Sequence, residues 1–284
     1  MTVVDAHLHP FLPVSEAYPR TVEPLFPADR SAPIELLGAD MTAAGVDRAV
    51  LVALSPHDRY VAECVAGDPR RFAGVLVHDP DEDGGAAIER IGSAGARGLR
   101  FMGLDARGIT DPDALAAMPV LAALAEHDLV CWLYPRPDDL PILPGLLARL
   151  PGLTVMLNHL GFGLATADAG DRRSPDDATP STLETVCALA VHPRVHVLVS
   201  GQYAFSTSPW PHLDVAPVAR RLHDAFGAHR LLWASDWPWI REEPGYLAQL
   251  DLVDIHLPDL TESERAAVLG GTATALLFDH PERR

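Results

Sequence analysis

Two histidines stand one residue apart near the start of the chain, in Asp5-Ala6-His7-Leu8-His9. They follow a strand-like apolar run, and side chains two positions apart in a strand point to the same face. Two imidazoles on one face can bind a metal ion or stabilise a developing negative charge. The pair therefore indicates a catalytic or metal-binding site.

Two further side chains that can bind a metal ion or transfer a proton lie at the ends of later apolar runs. They are His159 in Leu157-Asn158-His159-Leu160-Gly161, and Asp236 in Ala234-Ser235-Asp236-Trp237-Pro238. A structural reading exists for Asp236, which could cap the following helix as its N-cap residue. Against that reading, an unpaired carboxylate after a buried run is costly. We therefore expect His159 and Asp236 to join His7 and His9 in one hydrolytic site.

A second group of residues at strand ends suggests substrate binding: Arg100, Tyr134 and Arg136. Arg100 needs an anionic partner if it is buried, and that partner is either a structural acid or the substrate. Tyr134 has the common alternative of a rim tyrosine with a wet hydroxyl.

A serine triad is disfavoured, because neither Ser200 nor Ser235 lies in G-x-S-x-G. No glycine-rich turn has the spacing of a phosphate loop.

The elements that must position these residues alternate between strand and helix along the whole chain. Strand-like apolar runs, mostly without polar alternation, cover 3–7, 48–54, 72–78, 98–102, 129–134, 154–159, 195–200 and 230–235. Helical spacing covers 34–44, 57–66, 86–93, 112–126, 140–150, 182–190, 212–226 and 244–252, and a closing helix covers 262–278. Continuous apolar strands suit a parallel sheet covered on both sides. Eight strand–helix units predict a (β/α)8 TIM barrel, a single α/β domain over 1–284 with an extra C-terminal helix.

Loop lengths distinguish the two ends of this barrel. Helix-to-strand connections are short, whereas strand-to-helix connections are long and irregular at 10–33, 161–180 and 201–211. Active sites of such barrels lie at the carboxyl ends of the strands, on the long loops. His7, His9, Arg100, His159 and Asp236 all fall at that end.

Composition limits the partners. The chain carries 39 acidic and 22 basic residues, a net charge of −17. Nucleic acid and anionic membranes are therefore poor partners, and we expect a small-molecule substrate, with a homo-oligomer as a further possibility. Three widely spaced cysteines indicate a reducing compartment, and no secretory leader or membrane-length apolar run is visible. We expect a cytoplasmic protein.

Several sequence segments together resemble the amidohydrolase superfamily, and specifically its amidohydrolase-2 branch. The matching segments are VDAHLH at 4–9, AAGVDRAVLV at 43–52, RGLRF at 97–101, LNHLG at 157–161, LVSGQYAF at 198–205 and WASDWPW at 233–239. They run in family order over almost the whole chain, and together they are specific. The resemblance implies a barrel hydrolase, similar to lactonases that act on sugar lactones, muconolactones and pyrone dicarboxylates.

The resemblance does not imply a single metal content, because the relatives differ in how many metal ions they bind. Metal-binding relatives often add a histidine at strand five, and relatives with two metals add a lysine or acid at strand four. This chain has Tyr134 and Arg100 at these places. A two-metal centre is therefore not expected. His7, His9, His159 and Asp236 could hold one zinc or manganese ion. They also resemble the metal-free arrangement of pyrone lactonases. Four protein ligands would leave zinc an open position only through five-coordination, or if one residue stayed unbound as the base. The sequence favours the metal-free arrangement.

The predicted reaction is hydrolysis of a lactone. Asp236 would act as general base toward water, while the three histidines polarise the carbonyl oxygen or hold a metal that does so. Arg100, with Arg136, would bind a substrate carboxylate. One alternative is metal-dependent decarboxylation of an aromatic or enolic acid, which Leu8 disfavours because decarboxylase relatives tend to carry a glutamate near this motif. The other is a non-catalytic binding barrel.

Overall fold

The computed structural model describes residues 1–161 and 180–279. Eight parallel strands form one sheet in sequential order. The strands are β1 (Val4–Leu8), β2 (Arg48–Val52), β3 (Phe72–Val77), β4 (Ala96–Phe101), β5 (Val130–Leu133), β6 (Thr154–Leu157), β7 (Val195–Val199) and β8 (Leu231–Trp233). At the open edge, the amide of Asp236 donates to the carbonyl of His7 at 3.0 Å, and the amide of His9 donates to that of Trp237 at 2.7 Å. The (β/α)8 barrel and its eight predicted strands are confirmed.

Helices follow the strands and cover the outer face of the sheet. They are α1 (Ile34–Ala44), α2 (Tyr60–Gly67), α3 (Gly84–Ser93), α4 (Met118–Glu126), α5 (Leu143–Arg149), α6 (Pro180–Ala188), α7 (Gln202–Phe205), α8 (Ala216–Phe226), α9 (Tyr246–His256), α10 (Glu262–Ala266) and α11 (Thr272–Leu277). The predicted helices 112–126 and 140–150 are shorter than expected, since each is preceded by a 3-10 turn. Pro119 and Pro144 lie in the first turn of α4 and α5, where the missing N–H costs nothing.

The closing helix departs from the prediction of one continuous element. A π-helical segment, Ala267–Gly271, separates α10 from α11. At Gly270 a Cβ atom would lie 2.2 Å from the carbonyl oxygen of Thr2, so only glycine permits this close contact with the residues before β1. The extra helix is present, but it bends where it passes beneath the barrel.

Alternation along the strands sorts the apolar side chains into two layers. One layer packs between the sheet and helices such as α1 and α2, and the other fills the barrel interior. Val50 and Trp132 belong to the interior, whereas their strand neighbours Leu51 and Cys131 belong to the outer layer. A filled interior leaves the site at the carboxyl ends of the strands.

The strand-to-helix loops are the long ones, as expected. Of the loop at 161–180, residues 162–179 lie outside the described part of the chain. Among the described residues, no helix combines the length and the apolar character that a membrane span requires. The three cysteines are free and buried.

Candidate active site

Four side chains from three strand ends converge at the mouth of the barrel. Nε2 of His7 lies 3.1 Å from Nε2 of His9, and Oδ1 of Asp236 lies 3.6 Å and 3.4 Å from these two nitrogens. Nε2 of His159 lies 3.9 Å from Oδ2 of Asp236. All four residues are at most 3% exposed. The structure therefore brings together every residue predicted to act in hydrolysis.

A bulge in β1 turns both histidines of the pair toward the interior. The pairing register between β1 and β2 shifts between Asp5 and Leu8, so Ala6 faces the interior and Leu8 the outer layer. β-bulges commonly re-aim side chains beside functional sites. The sequence shows that His7 and His9 share a face, but it does not show this bulge.

Left-handed backbone places the other two members. His159 has a φ of 46° and Asp236 a φ of 61°, and non-glycine residues in this region are uncommon and often functional. Gly201, at the end of β7, packs against His159, where a Cβ atom would lie 2.7 Å from Nδ1. The imidazole of His159 fits only because residue 201 has no side chain.

Each imidazole is held from behind by its other nitrogen. Nδ1 of His7 accepts from the indole N–H of Trp132 at 2.8 Å. Nδ1 of His9 lies 2.8 Å from the carbonyl oxygen of Val52, and Nδ1 of His159 lies 3.0 Å from Oγ of Ser200. These contacts aim all three Nε2 atoms at the same small volume beside Asp236.

Burial and mutual contact set the charges of this cluster. Burial lowers the pKa of His7 and of His9, and lowers the pKa of His159 to about 4. Burial alone would raise the pKa of Asp236, but its interactions with His159, His9 and His7 outweigh burial and hold that pKa below its usual range. At neutral pH the site therefore contains a carboxylate beside neutral imidazoles.

Tyr203 is a site residue that sequence reasoning did not assign. Its hydroxyl donates to Oδ2 of Asp236 at 2.6 Å, and burial, followed by the charge of Asp236, raises the pKa of Tyr203. The available signal was the group of aromatic residues in the loop after β7. With Oδ2 bound by Tyr203, Oδ1 of Asp236 is buried without a hydrogen-bond partner and is free to accept a proton.

Asp5 is a second residue with an unassigned role, and it lies on the outer side of the bulge. Its carboxylate accepts from the backbone N–H and hydroxyl of Ser235, from the hydroxyl of Tyr246 and from the backbone N–H of His7. Burial raises the pKa of Asp5 to about 6, although these hydrogen bonds oppose the shift. Asp5 thereby joins the start of the site in β1 to the residue that precedes Asp236.

The predicted substrate-binding residues divide into two groups. Arg100 is 7% exposed, its Nε has no hydrogen-bond partner, and its guanidinium lies 5.8 Å from the ring centroid of Tyr134. The ring of Tyr134 in turn lies 5.6 Å from that of His159. Arg136 is about half exposed and pairs with Asp105 instead. Arg100 and Tyr134 therefore wall the site, and Arg136 lies at its rim.

The donor set also fits one divalent ion. Ligand atoms of His7, His9 and Asp236 all lie within 4.8 Å of one another, and imidazole and carboxylate are ordinary ligands of zinc. Nε2 of His9 and the unpartnered Oδ1 of Asp236 are available to a metal. His159, which the sequence also placed among the ligands, is not part of this three-residue group.

Comparison with known proteins finds relatives over most of the chain. The amidohydrolase family model matches residues 4–278. An L-fucono-1,5-lactonase of Burkholderia ambifaria is 29% identical over 252 residues, which cover 83% of this chain and 80% of the relative. A 4-sulfomuconolactone hydrolase of Rhizobium radiobacter is 27% identical over 241 residues, covering 82% and 75%.

Solved structures share the fold over nearly the full length. A candidate 2-pyrone-4,6-dicarboxylic acid hydrolase of Pseudomonas putida has a TM-score of 0.74 at 24% identity, with 97% of each chain covered. An amidohydrolase of Burkholderia multivorans with bound zinc has a TM-score of 0.76 at 22% identity, covering 97% of this chain and 99% of that one. With three ligand-type side chains together here, the preference for a metal-free site is not supported.

Proposed function

The chain belongs to the amidohydrolase family, and from that premise we propose that it hydrolyses a lactone of a small carboxylated or sugar-derived acid. The observation that carries the proposal is the cluster of His7, His9, His159 and Asp236. The free Oδ1 of Asp236 lies near Nε2 of His7 and of His9, and Nε2 of His159 lies 3.9 Å from Oδ2. A carboxylate and hydrogen-bond donors around one small volume are what ester hydrolysis requires.

The carboxylate handles the proton of water. Asp236 is ionised at neutral pH, and Tyr203 holds its Oδ2. Oδ1 then accepts a proton from the water whose oxygen attacks the lactone carbonyl carbon. The proton passes to the ring oxygen as the carbon–oxygen bond breaks, and the open-chain hydroxy acid leaves.

The imidazoles act on the other side of the carbonyl. Negative charge develops on the carbonyl oxygen during attack, and prepositioned donors in a buried site stabilise that charge. His7 and His159, held from behind by Trp132 and Ser200, are placed to donate from Nε2. Because the site is buried, each such hydrogen bond contributes more than it would in water.

Arg100 supports a substrate that carries a carboxylate. Its guanidinium is buried, and no carboxylate of the described residues lies within ion-pair distance of it. A buried cation without a close acid is costly, and an anionic ligand offsets that cost. This is the binding role that the sequence assigned to Arg100, with Tyr134 beside it and Arg136 at the rim.

One zinc or manganese ion is the alternative to donation from His7. His7, His9 and Asp236 are the residues that would hold it. Such an ion supplies a Lewis acid that polarises the carbonyl oxygen.

Two other functions compete with this proposal. Decarboxylation has support only at the level of fold, since a 2,6-dihydroxybenzoate decarboxylase of Rhizobium has a TM-score of 0.63 at 18% identity, with 97% and 98% of the chains covered. The two curated relatives described above are both lactone hydrolases by name. A non-catalytic barrel does not account for four buried polar side chains in mutual contact at the strand ends.

The test is a panel of lactones and aromatic acids, assayed with a pH indicator and a carbon dioxide detector, with and without a chelator. We expect acid release from at least one lactone and no carbon dioxide. Carbon dioxide release without lactone opening would replace the proposal with the decarboxylase. Loss of turnover in chelator, restored by zinc or manganese, would assign the metal.

A further inference from the structure

The indole of Trp132 determines which nitrogen of His7 carries its proton. Trp132 is fully buried in the barrel interior, and its Nε1 lies 2.8 Å from Nδ1 of His7. An indole N–H can only donate a hydrogen bond. Nδ1 of His7 must therefore supply a lone pair, which leaves the proton of the neutral imidazole on Nε2. A doubly protonated His7 is also excluded while this bond is made.

His9 is fixed in the opposite sense. Its Nδ1 lies 2.8 Å from the carbonyl oxygen of Val52, and a carbonyl oxygen can only accept. Nδ1 of His9 therefore carries a proton. Because burial lowers the pKa of His9, the imidazole is neutral at pH 7, and its Nε2 presents a lone pair. The two Nε2 atoms lie 3.1 Å apart, so the single proton between them belongs to His7.

We propose that Trp132 is a positioning residue that makes His7 a hydrogen-bond donor in the site and leaves His9 as the acceptor. The Nε2–H of His7 then points into the volume that also contains Oδ1 of Asp236, 3.6 Å away. The value of this donor for lactone opening rests on the proposed function. The assignment of the proton does not.

The same contact opposes metal binding through His7. A metal needs the lone pair of a ligating nitrogen, and ligating histidines almost always donate their other N–H to a carbonyl or carboxylate. His9 has that arrangement, whereas His7 has the reverse. If His7 ligated a metal through Nε2 as a neutral imidazole, its Nδ1–H would face the N–H of Trp132. Trp132 therefore weakens any metal site that includes His7.

The proton assignment is tested on the unmodified protein. Nitrogen NMR of histidine-labelled protein, prepared without metal, distinguishes protonated from unprotonated ring nitrogens, and His7→Gln identifies the signals of His7. We expect His7 protonated at Nε2 and His9 protonated at Nδ1. A His7 protonated at Nδ1 would overturn the proposal, whatever the protein's activity.

The metal consequence is tested by zinc affinity in matched variants. Trp132→Phe removes the N–H and keeps an aromatic ring. Trp233→Phe is the control, because Trp233 is equally buried but donates to Gln249 away from the site. We expect Trp132→Phe to bind zinc about tenfold more tightly than wild type, in the range of outer-shell effects, with Trp233→Phe unchanged. Equal affinity in both variants would overturn the proposal. If Trp132→Phe does not fold, the NMR measurement decides.

Discussion

Replacement of Asp236 by asparagine removes the proposed proton acceptor with little change in shape. The amide oxygen can still accept from Tyr203, whose hydroxyl lies 2.6 Å from Oδ2 of Asp236. The left-handed backbone at this position, with a φ of 61°, is one that asparagine also tolerates. The variant should therefore fold, and its defect should be chemical.

The size of the defect follows from the role. General-base catalysis contributes about 10²- to 10⁴-fold to the rate. Its loss therefore raises the activation barrier by about 3–5 kcal/mol. We expect kcat of Asp236→Asn on the best lactone to fall within that range. KM should change much less, because Arg100 and Tyr134, not Asp236, wall the site on the side proposed to bind the substrate.

The assay is steady-state acid release, with thermal unfolding as the check on folding. Asp47→Asn is the matched control, since Asp47 accepts a hydrogen bond from the backbone N–H of Val3 at the opposite end of the barrel. Its kcat should stay near the wild-type value. A folded Asp236→Asn enzyme with near-native kcat would refute the role of Asp236 as base.

Three further predictions follow from the same geometry. Arg100→Gln should raise KM for a carboxylated lactone by about 10- to 100-fold, as expected for loss of a charged hydrogen bond, and leave KM for a neutral lactone unchanged; equal effects on both would remove Arg100 from carboxylate binding. Because burial lowers the pKa of His159 to about 4, below its unfolded value near 6.5, its contribution to stability is present above pH 6.5 and lost as pH falls through 4. Accordingly kcat/KM should stay level from about pH 6 to 9, and an inflection near 6.5 would contradict that pKa. Gly201→Ala should lower both the free energy of unfolding and kcat, since the added Cβ would meet His159. Gly45→Ala, at a φ of 71° with no atom within 4 Å of the added Cβ, should lower only the free energy of unfolding. Urea titration measures the free energy of unfolding, and turnover measures kcat.

The barrel was predictable because its signals are local and repeated. Eight apolar runs, most of them without polar alternation, and short helix-to-strand turns leave few architectures other than a covered parallel barrel. Once the strands were placed, the rule that chemistry lies at their carboxyl ends selected His7, His9, His159 and Asp236 from many polar residues. The breaks in the closing helix were not predictable, because they depend on contact between Gly270 and Thr2, which are distant in sequence.

The finer parts of the site depend on contacts that a single sequence does not encode locally. Tyr203 reaches Asp236 from 33 positions away, and Trp132 reaches His7 from 125 positions away. Both are aromatic residues that strand or loop patterns assign to packing. The same limit applies to Arg136, whose pairing with Asp105 at the rim separates it from the four-residue cluster.

The most direct test of the account is the position of solvent oxygen in the product. The enzyme opens its best lactone in water enriched in oxygen-18, under single-turnover conditions, and the hydroxy acid is analysed by mass spectrometry. Attack of water on the carbonyl carbon, with Asp236 as base, predicts one labelled oxygen in the new carboxylate and none in the new hydroxyl group. Label in the hydroxyl group, or no lactone opening at all, would contradict the central claim.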